Sequence, residues 1–210
     1  MPCTACPQLC ASRTQIVEPT PNRFPVRGLI LAIGEAPGAQ EDAVGEGFVG
    51  RAGTTLDACL SRAGVQRSFY ARANIVRCRP AANRKPSGAE VQACLPKLAA
   101  FIEALAPKVL LLVGGTATAT FLGSGSLFAR VQQSAQSTWC DFSLAHGTLR
   151  DALMASGWLE RHGGIHAVAM PHTSALAWNR SAPDGTRWST IGQRQVDQAV
   201  ALARRLDLGC

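Results

Sequence analysis

Four short apolar runs set the main limit on how this chain can fold: GLILAI at 28–33, ANIVRC at 73–78, KVLLLV at 108–113 and IHAVAM at 165–170. Each has the length of a buried strand and runs into a Gly-, Pro- or Arg-containing loop. Between them the apolar residues recur at helical spacing. Leu56, Cys59, Leu60 and Ala63 share one face of a segment over Thr54–Ala63. Ser87, with Glu90 three residues on, caps a helix that runs toward Pro107, and Pro96 inside it is expected to kink or delay it. GGTATATFL opens another helix after the third run, and Leu149–Leu159 carries a weaker helical signal. Val196, Val200, Ala203 and Leu206 mark an amphipathic closing helix over Thr190–Leu208. Strands alternating with helices predict an α/β fold: three layers, α/β/α, around a central four-stranded parallel sheet. The stretch 123–164 is rich in Ser, Gln and Gly and carries no functional reading.

At 210 residues the chain suits one domain over 1–210. No apolar stretch approaches the roughly 20 residues of a membrane helix. MPCTACPQLC lacks the basic-then-apolar order of a signal peptide, so a cytoplasmic location and reduced cysteines are expected. Eight cysteines in such a setting point to metal binding rather than a disulfide framework. A net charge of +7 fits a polyanionic partner, and equally a solvated basic surface. Arg51, Arg77, Arg79, Arg84 and Lys85 lie close to the motifs that follow.

In parallel sheets, ligands bind beyond the carboxyl ends of the strands. Three of the four expected strands deliver unusual polar residues there: Glu35, Asn74 with its CRP loop, and His172. The first lies in GEAPGAQEDAVGEGFVGRAG, Gly34–Gly53, which has neither a Walker Lys-Ser/Thr pair nor the GxGxxG spacing. Its acids Glu35, Glu41, Asp42 and Glu46 would repel a phosphate, which leaves a pocket wall or a plain turn. Cys3-x2-Cys6 lets two thiolates reach one metal centre, with Cys78 and Cys94 distant in sequence. Four thiolates suit a [4Fe-4S] cluster or structural zinc, and spacing does not separate these. Cys10 offers another ligand through Cys6-x3-Cys10; Cys59 falls on an apolar helical face, and Cys140 and Cys210 have no evident partner.

Gly34–Gly53 resembles the first active-site motif of the family 4 uracil-DNA glycosylases, Gly-Glu-(Gly/Ala)-Pro-Gly, Glu-Asp and Phe-Val-Gly-x-Ala-Gly. NIVRCRPAANRKP is similar to that family's second block, PHTSAL to its His-Pro-Ser-x-Leu motif, and CTACPQLCASRTQIV to its opening. The pieces occur in the family's order from Cys3 to about Trp178. The resemblance implies a cytoplasmic, nucleoid-associated monomer that excises uracil from single- or double-stranded DNA. It also implies a [4Fe-4S] cluster on Cys3, Cys6, Cys78 and Cys94. Gly34, Ala36, Glu41, Phe48 and Asn74 would surround the base. Phe48 would stack on it, the Asn74 amide would accept from N3–H and donate to O4, and Glu41 would lie near C5. Glu35 would orient water and steady the sugar cation, and His172 would donate to the developing charge on O2. Leu176 would wedge the duplex, while Arg77, Arg79, Arg84 and Lys85 would meet phosphates.

Gly47 and Thr173 stand where the family has Pro. These changes are expected to loosen two loops and leave the range of deaminated bases open. The loop 81–86 lacks the His-bearing, Arg-rich insertion of relatives that link covalently to DNA, so ordinary turnover is expected. The rival readings are a catalytically weak DNA-binding or damage-sensing protein, a redox carrier, and a zinc-stapled nucleotide module.

Overall fold

The computed structural model describes residues 3–23 and 29–207; Gly28, Leu208 and Cys210, named above, lie outside the described residues. In chain order the elements are α1 (Pro7–Ser12), β1 (Ile30–Gly34), α2 (Ala39–Val44), α3 (Arg51–Arg62), β2 (Ala71–Asn74), α4 (Gly88–Leu105), β3 (Val109–Val113), α5 (Gly115–Leu122), α6 (Leu127–Gln136), β4 (Trp139–Cys140), α7 (Gly147–Ala155), α8 (Trp158–His162), β5 (Ile165–Met170), α9 (Ala175–Trp178) and α10 (Trp188–Asp207). No described helix is long and apolar enough to cross a membrane.

The sheet has five strands in the order β2-β1-β3-β5-β4. β1, β2, β3 and β5 are the parallel set, in register through Leu31↔Ala71, Ile30↔Val109 and Val109↔His166. The expectation of four strands falls one short, because β4 adds a two-residue antiparallel edge through Trp139↔His166. Strands buried on both faces read as unbroken apolar runs, and every residue of β1 and β3 is buried. Alternate side chains divide between the two helical layers. Leu31, Ile33, Leu110, Leu112 and Ala167 pack with Leu95, Leu98, Phe121, Leu149, Leu153 and Trp158, from α4, α5, α7 and α8. Ile30, Ala32, Leu111, Val168 and Met170 pack with Leu56, Leu60, Val196 and Val200, from α3 and α10. Cys59 belongs to that second core, as its helical face implied, and Cys140 is buried with its thiol turned to the Phe121 carbonyl.

β2 lies upstream of the expected run and ends at Asn74. Arg72 hides the strand in the sequence. It is tolerated inside because its guanidinium reaches the Arg67 carbonyl at 2.9 Å and Glu46 at 3.1 Å. α4 runs from Gly88 to Leu105 with Pro96 inside it, so the proline does not end the helix. Ser87 and Glu90 form the capping box read from the sequence. The single helical signal over Leu149–Leu159 is two helices, α7 and α8, divided at Gly157. The 123–164 stretch covers the β5 edge of the sheet: α6 packs on β5, and α7 packs on α4.

The segment before β1 is tied across the molecule. Thr20 exchanges both backbone bonds with Arg72, at 2.8 and 2.9 Å, and Val17 N donates to the Arg77 carbonyl at 2.8 Å. Asp42, buried on α2, accepts the Thr14 amide at 2.9 Å on each carboxylate oxygen and the Gln15 amide at 3.3 Å. The Gln15 side chain returns to the Asp42 and Ala43 carbonyls. Removing a buried anionic acceptor leaves amide donors unpaired. Asp42→Ala is therefore expected to lower unfolding free energy by about 2 kcal/mol, with Asp42→Asn costing less. Denaturant melts, with amide exchange of Thr14 and Gln15 as the local readout, check both.

Candidate active site and thiol cage

The carboxyl ends of β1, β2 and β5 open into a cleft of about 560 Å³. Gly34, Glu35, Ala36, Glu41, Phe48, Asn74 and His172 line it together, with Arg51 and Arg84. Gly34 ends β1 with no room for a side chain. A Cβ there would stand 2.6 Å from Asn74 Oδ1 and 2.8 Å from the Phe48 ring. The amide and the aromatic face thus meet over a bare backbone. Phe48 takes the left-handed conformation, φ 59°, and its carbonyl abuts Gly53, where a Cβ would fall 1.9 Å from that oxygen. Arg67 fixes the turn, donating to the Phe48 and Gly47 carbonyls at 2.9 Å each and pairing with Glu46 at 2.8 Å and Asp57 at 2.9 Å. Arg67 lowers the Glu46 carboxyl pKa, chiefly by hydrogen bonding.

Asn74 is 8% exposed, and no side-chain hydrogen bond engages its amide among the described residues. Its amide atoms are not among the sealed, unpaired polar atoms, so the amide faces the open cleft, where it can pair with water or with a ligand. His172 packs on Gly114, and its Nδ1 accepts the Ser174 amide at 3.1 Å. An acceptor at Nδ1 places the ring proton of the neutral imidazole on Nε2. Burial lowers the His172 pKa, while the Glu35 carboxylate raises it. Thr116, at the start of α5, donates its hydroxyl to Glu35 Oε2, which leaves Oε1 without that partner.

Several readings from sequence change here. Glu41 lines the cleft, but its oxygens accept the Gly50 amide at 2.7 Å and the Gly38 amide at 3.1 Å, so it clasps the loop. Arg84 makes a two-pronged pair with Glu90, at 2.6 and 2.8 Å, and reaches Gln8; Arg77 gives both bonds of one Nη to Glu18 at 2.7 Å. Neither is a free cation. Arg84 is also the main cause of a Glu90 pKa lowered to about 2. Arg79 donates to Asn83, Lys85 is exposed, and Arg51 stands exposed on the cleft with no ion pair among the described residues. Leu176 is 73% exposed on α9. Thr173 does not loosen its loop: it is buried, and its hydroxyl donates to the Ala52 carbonyl at 2.8 Å. Arg67 and Thr116 were missed, and the holding roles of Asp42 and Thr173, both named from the sequence, were not read, because the partners lie at least ten residues away.

Behind one wall of the cleft, Cys6 caps α1, Cys78 follows β2 and Cys94 lies on α4, all three buried, while Cys3 is half-buried. Burial first, then Cys94, Cys3, Glu90 and Cys78, push the Cys6 thiol up to about 11. Four thiols so close resist ionising together, which is what a bound cation relieves. Arg13 donates to Cys78 Sγ at 3.0 Å. Burial raises the Cys78 thiol, against that hydrogen bond. Among the described residues no three His, Cys, Asp or Glu side chains are grouped as one metal ion requires.

Residues 21–193 match the family model described as the uracil DNA glycosylase superfamily. The chain is 41% identical over 120 residues to a type-4 uracil-DNA glycosylase of Thermotoga maritima, covering 57% of this chain and 60% of that protein. It is 47% identical over 85 residues to the type-4 uracil-DNA glycosylase of Pyrobaculum aerophilum, and 41% over 85 residues to that of Archaeoglobus fulgidus. Each of those two matches covers 40% of this chain and 43% of the relative.

The cleft makes a pH prediction. A His whose folded value is depressed contributes stability above its ordinary value of 6.5, and that stability is lost as pH falls through the folded value. The His172 ring is expected to titrate below pH 6.5 by NMR, and Glu35→Gln, which removes the raising charge, to move it lower still. A midpoint above 6.5 shows that burial does not outweigh the Glu35 charge at this ring.

Proposed function

The chain belongs to the uracil DNA glycosylase superfamily, and from that premise we propose that it hydrolyses the N-glycosidic bond of uracil in DNA, leaving an abasic site. It acts as one domain and as a monomer, on single- or double-stranded DNA, in the cytoplasm at the nucleoid. The observation that carries this reading is the Asn74 amide, open to the cleft and engaged by no side-chain hydrogen bond among the described residues, beside Phe48 and with His172 and Glu35 on the same walls.

A base must leave the stack to reach such a cleft, and there it is read on its Watson–Crick edge and by stacking. The Asn74 carbonyl accepts from uracil N3–H and its NH2 donates to O4; cytosine presents the opposite pattern and is refused. The Phe48 ring lies against the bare backbone of Gly34, so a base can enter over both. Bond cleavage builds negative charge on O2 and positive charge on the sugar. Nε2–H of neutral His172 meets the first, an effect worth about 3 kcal/mol for a well-placed donor. Glu35, turned by Thr116, steadies the second and orients water through Oε1. Leu176 fills the gap left in a duplex, and Arg51, Arg79 and Lys85 supply the free positive charge for backbone phosphate. A side chain at Gly47 would meet its nearest atom at 3.9 Å, on the Asn74 amide, so the Gly there leaves space for deaminated bases other than uracil.

We assign the thiol cage to a [4Fe-4S] cluster on Cys3, Cys6, Cys78 and Cys94. An all-cysteine donor set suits it, and a body of four irons takes sulfurs standing further apart than one ion does. A bound cluster would supply a rigid cross-link between the N-terminal segment, the 78–87 loop and α4. Pro80, Asn83 and Arg84 of that loop line the cleft, so the cage supports its wall.

The protein is incubated with uracil-containing single- and double-stranded oligonucleotides, followed by alkaline cleavage of abasic sites. Strand scission is expected, and none in either substrate from folded, iron-bearing protein overturns the proposal. Glu35→Ala and His172→Ala are expected to slow release at least about a hundredfold, with melting unchanged. Asn74→Ala is expected to weaken discrimination between uracil and cytosine. The phosphate assignment makes a separate claim: Arg51→Ala should reduce the slope of log affinity against log salt by about one, without changing single-turnover excision at saturation. An unchanged slope removes Arg51 from the phosphate contacts.

A further inference from the structure

Two guanidiniums stand near the cysteines, and they are spent differently. Arg77 gives its charge to Glu18 at 2.7 Å. Arg13, one residue beyond α1, makes no ion pair among the described residues. Nη1 donates to Cys78 Sγ at 3.0 Å, and Nη2 donates to the Cys3 carbonyl at 2.7 Å. The thiol of Cys10 also points at that carbonyl, at 3.5 Å. The Cys3 backbone is thus held from two sides, and the stronger hold is a cation that also touches a second cage sulfur. Glu90, on the helix that carries Cys94, is neutralised by Arg84 at 2.6 Å, so that pair adds no net charge beside the cage.

We propose that Arg13 is a positioning and tuning residue for the cluster assigned to this cage, holding the Cys3 ligand in place and stabilising the more reduced state. The inference rests on the cluster reading above. Its physical basis is that an N–H donor and a full positive charge at a ligating sulfur favour the cluster state carrying one more electron. Its second basis is that the same guanidinium holds the Cys3 carbonyl at 2.7 Å, which fixes the backbone that carries a ligand.

The test uses the full-length protein purified without oxygen, with iron and sulfide content, visible absorbance and midpoint potential as readouts. The potential is taken by voltammetry, the electrode supplying or removing the single electron. Arg13→Gln is expected to keep four irons per chain when handled anaerobically, to show a lower midpoint potential, and to lose its visible absorbance in air severalfold faster than the parent. If Arg13→Gln purifies without iron, Arg13→Lys carries the test. It keeps the charge but not the two-armed reach, so its potential should stay closer to the parent's while its loss in air is faster. An iron-loaded parent, with variants of unchanged potential and unchanged lifetime, overturns the role of Arg13 and leaves the cluster reading standing. A parent that takes up zinc or no metal overturns the cluster reading itself, and with it the inference.

Discussion

The whole arrangement depends on four strands running the same way. Because β1, β2, β3 and β5 are parallel, each must leave the sheet at one edge, so chain segments far apart in sequence deliver their first polar residues to one place. Glu35 follows β1, Asn74 ends β2, Thr116 follows β3 and His172 follows β5. The apolar interior of the strands fixes how far each emerging residue can travel. Gly34 and Asn74 pair across β1 and β2, which is why a side chain at Gly34 would strike the Asn74 amide. Sheet register therefore sets where the Asn74 amide stands against Gly34, and the Arg67-held turn brings the Phe48 ring to the same point.

Loops leaving such an edge still need holding, and this chain does so with buried and half-buried charges that meet backbone. Glu41 closes the Gly38–Gly50 loop, Asp42 takes the Thr14 and Gln15 amides, and Arg67 takes the carbonyls of Gly47 and Phe48. Buried ions satisfied by backbone or by partners avoid the large cost of desolvated, unpaired charge. The neighbouring residues Glu41 and Asp42 thus stitch the same motif in two directions, one across the cleft loop and one to the cysteine-bearing segment. Arg84 extends the stitching: it joins Glu90 at the start of α4 to Gln8 on α1, and it also lines the cleft.

The fold was legible where short apolar runs of β-type residues ended in Gly or polar loops, which placed four strands and their order of use. The strand pairing order was not legible, and β4 escaped because two residues, one an exposed Trp, carry no periodicity. β2 starts two residues and ends four residues before the expected run, because a charged Arg72 inside a sheet contradicts pattern, and its partners come from elsewhere in the chain. The cleft residues were legible as types at a strand edge and through the family resemblance. What sequence could not separate was a free cation from a neutralised one. Arg84 and Arg79 look alike in CRPAANRKP, yet one is paired to a carboxylate and the other hydrogen-bonds an Asn side chain.

That distinction alters how the net charge of +7 bears on function. Arg67, Arg72, Arg77 and Arg84 are all consumed by carboxylates within the molecule, so much of the basic composition near the motifs is structural. What remains at the cleft is the Arg51 guanidinium, with Arg79 and Lys85 on the neighbouring loop, over an interior of neutral groups and the carboxylates of Glu35 and Glu41. Sparse rim charge positions a polyanion without filling the cleft with cations, which would favour phosphate there over a neutral base. The acids that looked ill suited to a phosphate loop are then consistent with the rest of the site. Glu41 and Asp42 hold backbone amides and Glu46 pairs with Arg67 and Arg72, which leaves Glu35 as the one acid of the motif not committed to holding the loop.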